Sequence, residues 1–95
     1  MLEKEIEKKV WKYAEEQGFL QYKFSSPAHA GVPDRLFISP TGRVFFIEFK
    51  AKGKKPTPLQ NREILRIQQK GTSVFVVDNV EYGKHVIEMV KKGIM

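Results

Sequence analysis

The chain has 95 residues, 41% of them hydrophobic, which is enough for one compact domain with a single core. Its 17 lysines and arginines outnumber the 11 aspartates and glutamates, and the net charge of +6 indicates an anionic partner, either a nucleic acid or a membrane surface. The absence of cysteine excludes disulfides and thiolate zinc sites, and no apolar run is as long as a membrane span. Because the start of the chain also lacks the pattern of a signal peptide, we expect a soluble, cytoplasmic protein.

The first half of the chain predicts one helix and three strands. An amphipathic helix is expected over residues 2–17, because apolar side chains recur at helical spacing: Leu2, Ile6, Val10, Tyr13 and Ala14. Residues 19–25 alternate apolar and polar side chains, which predicts a strand whose aromatic residues we expect in the core. Residues 35–38 and 44–51 predict two further strands, and the turn-forming segment "SPTGR" between them predicts a hairpin.

The second half of the chain predicts a helix, a strand and a last helix. The segment "TPLQ" offers Thr57 as N-cap and Gln60 as its partner in a capping box, so a helix is expected over residues 58–70. The segment "TSVFVVD" then predicts a continuous apolar strand of the buried kind, and "VEYGKHVIEMVKK" predicts a weaker helix. We therefore expect a single α/β domain over residues 1–95, with helices packed against a mixed central sheet.

Two carboxylates and a lysine stand in the most hydrophobic segment of the chain, "GVPDRLFISPTGRVFFIEFKAK". Alternate residues of a strand share a face, so Glu48 and Lys50 lie on the same side. If the hairpin pairs residue 38 with residue 44, the antiparallel register sets Asp34 opposite Glu48. Like charges this close are destabilising, and hard oxygen ligands suit Mg²⁺ or Mn²⁺, so the pair predicts a divalent metal site.

A metal held beside a lysine suits the hydrolysis of phosphodiester bonds. A divalent ion activates water and polarises a phosphoryl oxygen, while Lys50 would position the water and offset the charge of the transition state. The alternative is structural: Asp34 caps a turn, and Glu48 and Lys50 face solvent. That alternative leads to a basic DNA-binding module without catalysis. Membrane binding is disfavoured, because the basic residues do not lie along one amphipathic helix.

The segments "GVPD" and "EFK" contribute Gly31, Pro33, Asp34, Glu48 and Lys50, and together they resemble the signature of the PD-(D/E)xK nuclease superfamily. The longer run from "GVPDR" through "IEFKAKGKKPTPLQ" resembles the VRR-NUC (virus-type replication-repair nuclease) family, whose stand-alone phage members are of similar length. This resemblance spans nearly the whole chain. It implies a restriction-endonuclease-like core of order αβββαβ(α), which is also the order of the elements predicted above.

The resemblance implies a set of metal ligands. Asp34 and Glu48 would bind the metal, Mg²⁺ or Mn²⁺, and the backbone carbonyl of Phe49 would complete its coordination. The family also has an acid on the first helix. We choose Glu7 for that role over Glu3, because Glu3 lies in a turn expected to fray, and ordinary helix N-terminal acids are the alternative for both.

The resemblance also implies catalytic and DNA-binding residues. Lys50 would be catalytic, and Gln60 matches the family's glutamine on the helix after the lysine, although the capping box explains it equally well. Several basic residues near the expected site would neutralise DNA phosphates: Lys52, Lys54, Lys55, Arg62, Arg66 and, with less support, His29.

Stand-alone members of this family resemble junction-resolving enzymes, which implies an endonuclease for branched DNA, a Holliday junction resolvase. A symmetric four-way junction needs two nicks, so a homodimer is expected. The alternatives are a monomeric nuclease for flaps or single-stranded ends and the non-catalytic DNA-binding module. No nucleotide cofactor and no membrane contact are expected, and a phage-encoded protein would act in the host cytoplasm.

Overall fold

The computed structural model describes residues 1–95 as three helices and one sheet of four strands. The helices are α1 (Glu3–Glu16), α2 (Pro58–Gln69) and α3 (Val80–Lys91), and the strands are β1 (Leu20–Lys23), β2 (Arg35–Ile38), β3 (Val44–Phe49) and β4 (Ser73–Val77). This is the predicted order of elements. None of the helices combines the length and the hydrophobicity that crossing a membrane requires.

The sheet is mixed, with the strands in the order β1-β2-β3-β4. The first three strands pair antiparallel, whereas β4 pairs parallel to β3, because α2 carries the chain back to the starting end of the sheet. The prediction that β4 is a fully buried strand is wrong. It lies at the edge of the sheet, and its Val76 is 37% exposed.

The hydrophobic core lies on the face of the sheet that α1 and α3 cover, here called the inner face. Phe37, Phe45, Ile47 and Phe49 are fully buried there, and the rings of Phe37 and Phe45 stack with their centroids 5.2 Å apart. The helices contribute a complementary set of buried side chains: Ile6, Val10 and Ala14 from α1, and Val86, Ile87 and Val90 from α3. The opposite, outer face carries the residues of alternate positions, including Glu48, and α2 packs on it along β4.

Two predictions about apolar residues are wrong. Leu2 precedes α1 as its N-cap and is exposed, although it was expected in the helix and on its apolar stripe. Tyr22 was expected in the core with the other aromatic residues but is exposed, because it points to the outer face where no helix covers β1. Phe19, by contrast, is buried as expected and meets Phe45 edge to face.

Gly83 allows α3 to pack closely on α1, because a Cβ at this position would lie 2.4 Å from Cγ2 of Val10. Replacing a mid-helix glycine by alanine ordinarily stabilises a protein by about 1 kcal/mol. Here overpacking reverses the sign, and we expect Gly83→Ala to lower the free energy of unfolding by about 1–3 kcal/mol in urea denaturation. His85→Ala, at an exposed position of the same helix, is the control and should change it by less than about 0.5 kcal/mol. A Gly83→Ala protein as stable as the wild type would contradict the close packing.

Candidate active site

Asp34 and Glu48 come together at the open end of the β2–β3 hairpin, opposite its turn. The strands pair Ile38 with Val44 and Leu36 with Phe46, as the sequence predicted, and Arg35 with Ile47. The next pair outward in this register is Asp34 and Glu48, which therefore share the outer face. Two hydrogen bonds fix Asp34: its Oδ2 accepts from the backbone N–H of Phe49 at 2.7 Å, and its carbonyl accepts from the N–H of Phe24 at 2.8 Å.

The carboxylate of Glu48 is buried, with the residue only 1% exposed. Its Oε2 lies 3.6 Å from Nζ of Lys50, whereas Oε1 is buried without any hydrogen-bond partner in the protein. Burial raises the pKa of Glu48 to about 7; the charge of Asp34 also raises it, and Lys50 opposes the shift. Burial likewise raises the pKa of Asp34, against the lowering effect of the Phe49 N–H bond. The two acids are thus held where a proton or a cation is needed.

The donors of this pair fit a hard divalent cation. An unpaired, buried carboxylate oxygen beside a second carboxylate is an anionic oxygen site without enough positive charge of its own. No cluster of three or more histidine, cysteine or acidic side chains with the spacing of a metal site occurs anywhere in the chain. The protein therefore offers two carboxylates, which suits Mg²⁺ or Mn²⁺, ions that keep several waters and also bind substrate phosphates.

The first helix brings two acids near the pair in different ways. Glu7 forms an ion pair with Arg35, whose Nε lies 2.6 Å from Oε2 of Glu7, and both side chains are largely buried. Glu3 forms no ion pair. The negative charges of Glu7 and Glu3 both raise the pKa of Asp34, and the charge of Glu3 also raises the pKa of Glu48. Glu7 thus already has a cationic partner, and its assignment as a metal ligand stays a prediction.

Gln60 occupies the start of α2 as expected. Its side-chain Oε1 accepts a hydrogen bond from the backbone N–H of Thr57 at 2.9 Å. The backbone N–H of Gln60 donates to Oγ1 of Thr57 at 3.2 Å, which completes the predicted capping box. Gly31 lies against this turn with φ of +89°, and a Cβ on it would come within 3.0 Å of the carbonyl oxygen of Leu59. Only glycine fits this contact, which holds the loop that ends at Asp34 against the helix that carries Gln60.

The predicted basic residues lie around the site in separate groups. Lys54 and Lys55 line an open cavity of about 710 Å³ beside the end of β4, and the loop that carries them is attached to Asp78, which accepts from the N–H of Gly53 at 3.0 Å. Lys52 is exposed in the same loop. On the other side of α2, Arg66 and His29 line a second cavity, while Arg62 is exposed on the helix surface. The structure does not gather them into one groove.

Two residues that bear on the site were missed in the sequence. Arg35 links α1 to β2 through Glu7, and it also donates to Gln21 and lies over the ring of Trp11. The sequence signal for Arg35 was its position directly after Asp34, because successive residues of a strand point to opposite faces of the sheet. Glu63 is a buried carboxylate on α2. Its spacing of three residues from Gln60 could have placed it on the inward side of the helix.

Comparisons with known proteins agree with this architecture. No family model matches the chain. The chain is 46% identical over 77 residues to a protein of Acyrthosiphon pisum secondary endosymbiont phage 1 named "Putative nuclease p44", covering 81% of this chain and 83% of that protein. It also superposes on a solved structure described as a VRR_NUC domain with a TM-score of 0.83 and 36% identity, covering 90% of this chain and 94% of the other. The chain belongs to the VRR-NUC family.

Membership of the VRR-NUC family confirms the resemblance and the restriction-endonuclease-like α/β fold expected from it. In this VRR-NUC protein the signature residues lie where the hairpin register brings them together. Asp34 precedes β2, Glu48 and Phe49 end β3, and Lys50 follows directly.

The raised pKa of Glu48 makes stability depend on pH when no metal is present. The folded state holds the Glu48 proton up to about pH 7, whereas the unfolded chain releases it near the ordinary glutamate pKa of 4.5. The contribution of Glu48 to stability is therefore fully present below pH 4.5 and is lost as pH rises through about 7, a loss of the order of 3 kcal/mol. We expect Glu48→Gln to be more stable than the wild type at pH 8 in chelator, as measured by urea denaturation from pH 4.5 to pH 8.

The matched control is Glu16→Gln, an exposed acid at the end of α1, which should keep the wild-type pH dependence. Equal pH dependence in the wild type and in Glu48→Gln would show that Glu48 is not held protonated.

Proposed function

We propose that this protein is a Mg²⁺- or Mn²⁺-dependent DNA endonuclease that hydrolyses phosphodiester bonds in branched DNA, as a Holliday junction resolvase does. The observation that carries the proposal is the buried pair Asp34 and Glu48, with one oxygen of Glu48 unpaired and Lys50 beside it. The relative named as a nuclease and the VRR-NUC fold support this chemistry. The net charge of +6 supports an anionic polymer as substrate.

The metal would be held by the carboxylates of Asp34 and Glu48 and by the backbone carbonyl of Phe49. When bound, a divalent ion supplies Lewis-acid activation of water and of a phosphoryl oxygen. The hydrogen bond from Phe49 N–H to Oδ2 fixes the rotamer of Asp34, so one carboxylate is oriented before any substrate arrives. Glu7 is the proposed first-helix acid and Glu3 its alternative, since Glu3 has no ion-pair partner of its own.

Lys50 is the proposed catalytic cation. The Lys50 side chain is mostly buried and its ammonium group lies 3.6 Å from Glu48, which places it beside the proposed metal site. There it would offset charge developing on the phosphoryl oxygens and orient the attacking water. Gln60 is proposed to assist. The cap uses its amide oxygen, and its amide N–H₂ remains able to donate to water or phosphate.

The basic residues around the site are proposed to hold the DNA backbone. Basic side chains lie on both sides of α2, so a nucleic acid crossing the site would meet them on either side of the carboxylates: Lys52, Lys54 and Lys55 in the loop, Arg62 and Arg66 on the helix, and His29 in the loop before Asp34. Contacts of this kind position DNA without reading its sequence. Recognition would therefore depend on the shape of the branch, and a phage-encoded enzyme would act in the host cytoplasm.

A homodimer is proposed because a symmetric junction needs two equivalent cuts. One row of apolar side chains on the outer face supports it: Leu20, Ile38 and Val44 are paired across three strands, and Leu20 and Val44 are 56% and 43% exposed. Exposed apolar patches of this kind mark interaction surfaces. The row lies at the turn of the β2–β3 hairpin, whereas Asp34 and Glu48 lie at its open end, so a partner seated on the row leaves both active sites uncovered.

The activity is tested on a panel of labelled DNAs: a four-way junction, a flap, a nicked duplex and a plain duplex, with and without Mn²⁺. We expect Mn²⁺-dependent cleavage of the junction, reduced at least about 100-fold in Asp34→Asn, Glu48→Gln and Lys50→Ala, because each variant removes a group that acts on the reacting phosphate. Lys12→Ala, at an exposed position of α1, is the matched control for Lys50→Ala and should cleave normally. If the wild type cleaves none of these DNAs and the three site variants bind them as it does, the protein is a DNA-binding module with a structural acid pair.

The dimer is tested by analytical ultracentrifugation. We expect a dimer for the wild type and a monomer for Val44→Lys, because a charge in the apolar row opposes its burial. Val76→Lys changes another exposed valine on the outer face, outside that row, and should remain dimeric. A monomeric wild type that cleaves only flaps would support the monomeric nuclease instead.

A further inference from the structure

An open cavity of about 570 Å³ lies between α2 and the part of the outer face that no helix covers. Its apolar wall is formed by Phe24, Val32, Phe46 and Ile67, and its polar side by Glu63 and Arg66. Neither the metal site nor the capping box uses these side chains. The cavity is large enough for a planar heterocycle, within the range of volumes usual for small-ligand sites.

The cavity borders the acid pair on two segments of the chain. Phe46 lies two residues before Glu48 on the same face of β3, which places their Cα atoms roughly 7 Å apart. Val32 lies two residues before Asp34 in the loop that carries it. The base of a nucleotide whose phosphate lies at the acid pair therefore needs to reach only a short distance along the outer face to enter the cavity.

Two of the residues in the apolar wall of the cavity are half-buried phenylalanines. The rings of Phe24 and Phe46 are 5.1 Å apart between centroids and tilted by 57°. The ring faces that remain accessible offer a surface on which a nucleobase can stack, and stacking of this kind is favourable for every base. The rim is basic, with Arg66 and Lys70 placed to meet the phosphates of the strand that carries the base.

The polar side of the cavity carries a carboxylate from a buried residue. Glu63 is 6% exposed, and its two ion pairs, with Arg66 at 3.1 Å and Arg62 at 3.9 Å, both involve Oε2. Neither pair uses Oε1, which is left to accept a hydrogen bond from a ligand. A carboxylate only accepts, so it favours a base edge with an exocyclic amino group over the carbonyl edge of thymine.

We propose that this cavity holds one unpaired nucleobase bearing an amino group, displaced from the DNA next to the phosphate that is cleaved. The inference rests on the proposed nuclease function and adds a substrate feature to it: a branch point is preferred because bases there are already free to leave the stack. The base stacks on Phe24 and Phe46 and donates its amino group to Glu63. The basic rim and the adjacent acid pair favour a nucleic acid over a protein side chain as the occupant.

The experiment is photocrosslinking of junction DNA that carries a single 5-iodocytosine or 5-iodouracil at successive positions around the branch. The two bases share the same photochemistry and differ in the amino or carbonyl group that would face Glu63. Chelator is present throughout, so binding is measured without cleavage. Mass spectrometry then maps the crosslinked residue, and we expect it to be Phe24, Phe46 or His29, with a yield about tenfold higher for iodocytosine.

Two variants test the roles of the side chains. Phe24→Leu should lower the yield in the cavity at least fivefold, because the stacking surface is lost. Glu63→Gln should remove the preference for iodocytosine while keeping the crosslinks, because glutamine both donates and accepts. Glu81→Gln, at an exposed acid on α3, is the matched control and should behave as the wild type.

Crosslinks that fall only on aromatic residues outside the cavity, such as Tyr82, would overturn the site. Equal wild-type yields for the two bases would overturn the selection by Glu63. Because no step depends on hydrolysis, crosslinks in the cavity of a protein that fails to cleave any DNA would retain the base site and reject the nuclease function. Cleavage without crosslinks in the cavity would retain the nuclease function and reject the base site.

Discussion

The register that sets Asp34 opposite Glu48 is the constraint on which the rest of the site depends. Antiparallel pairing of β2 with β3 brings two carboxylates together at the end of the hairpin, where burial and mutual repulsion both oppose their charged forms. Such a pair is unfavourable by itself and persists because the surrounding strands are fixed by the core on the inner face. The bond from Phe49 N–H to Asp34 then orients one acid without any contribution from the metal. This arrangement supports the proposed cation site.

The two faces of the sheet have different tasks. The inner face is packed by α1 and α3 and supplies most of the buried apolar surface, with the helices so close at Gly83 that no side chain fits. The outer face is covered by α2 only along β4, which leaves Asp34, the cavity beside Phe46 and the apolar row near Val44 at least partly exposed, whereas Glu48 is buried. A domain of this size has one core, so the proposed chemistry and the proposed contacts share the face that the core does not use.

Ion pairs between arginines and glutamates neutralise part of the positive charge close to the site. Glu7 holds Arg35 between α1 and β2, and Glu63 holds Arg66 and lies near Arg62 on α2. In the loop after β3, Lys52, Lys54 and Lys55 are exposed and form no ion pair. Long-range attraction of a polyanion would therefore come from the exposed lysines, whereas the arginines near the carboxylates combine charge with fixed geometry.

The amino-acid sequence by itself determined the order of elements, the hairpin register, the capping box at Thr57 and the signature residues, because these depend on local periodicity and turn chemistry. It did not reveal that β4 is an edge strand, that Tyr22 is exposed or that Glu7 pairs with Arg35. Those features depend on which faces of the helices and strands meet. Contacts between residues far apart in the chain produce no periodic pattern in the sequence. Tertiary structure alone also decided that the basic residues form separate groups and that Glu63 is buried beside Phe46, since both follow from the position of α2 over one half of the sheet.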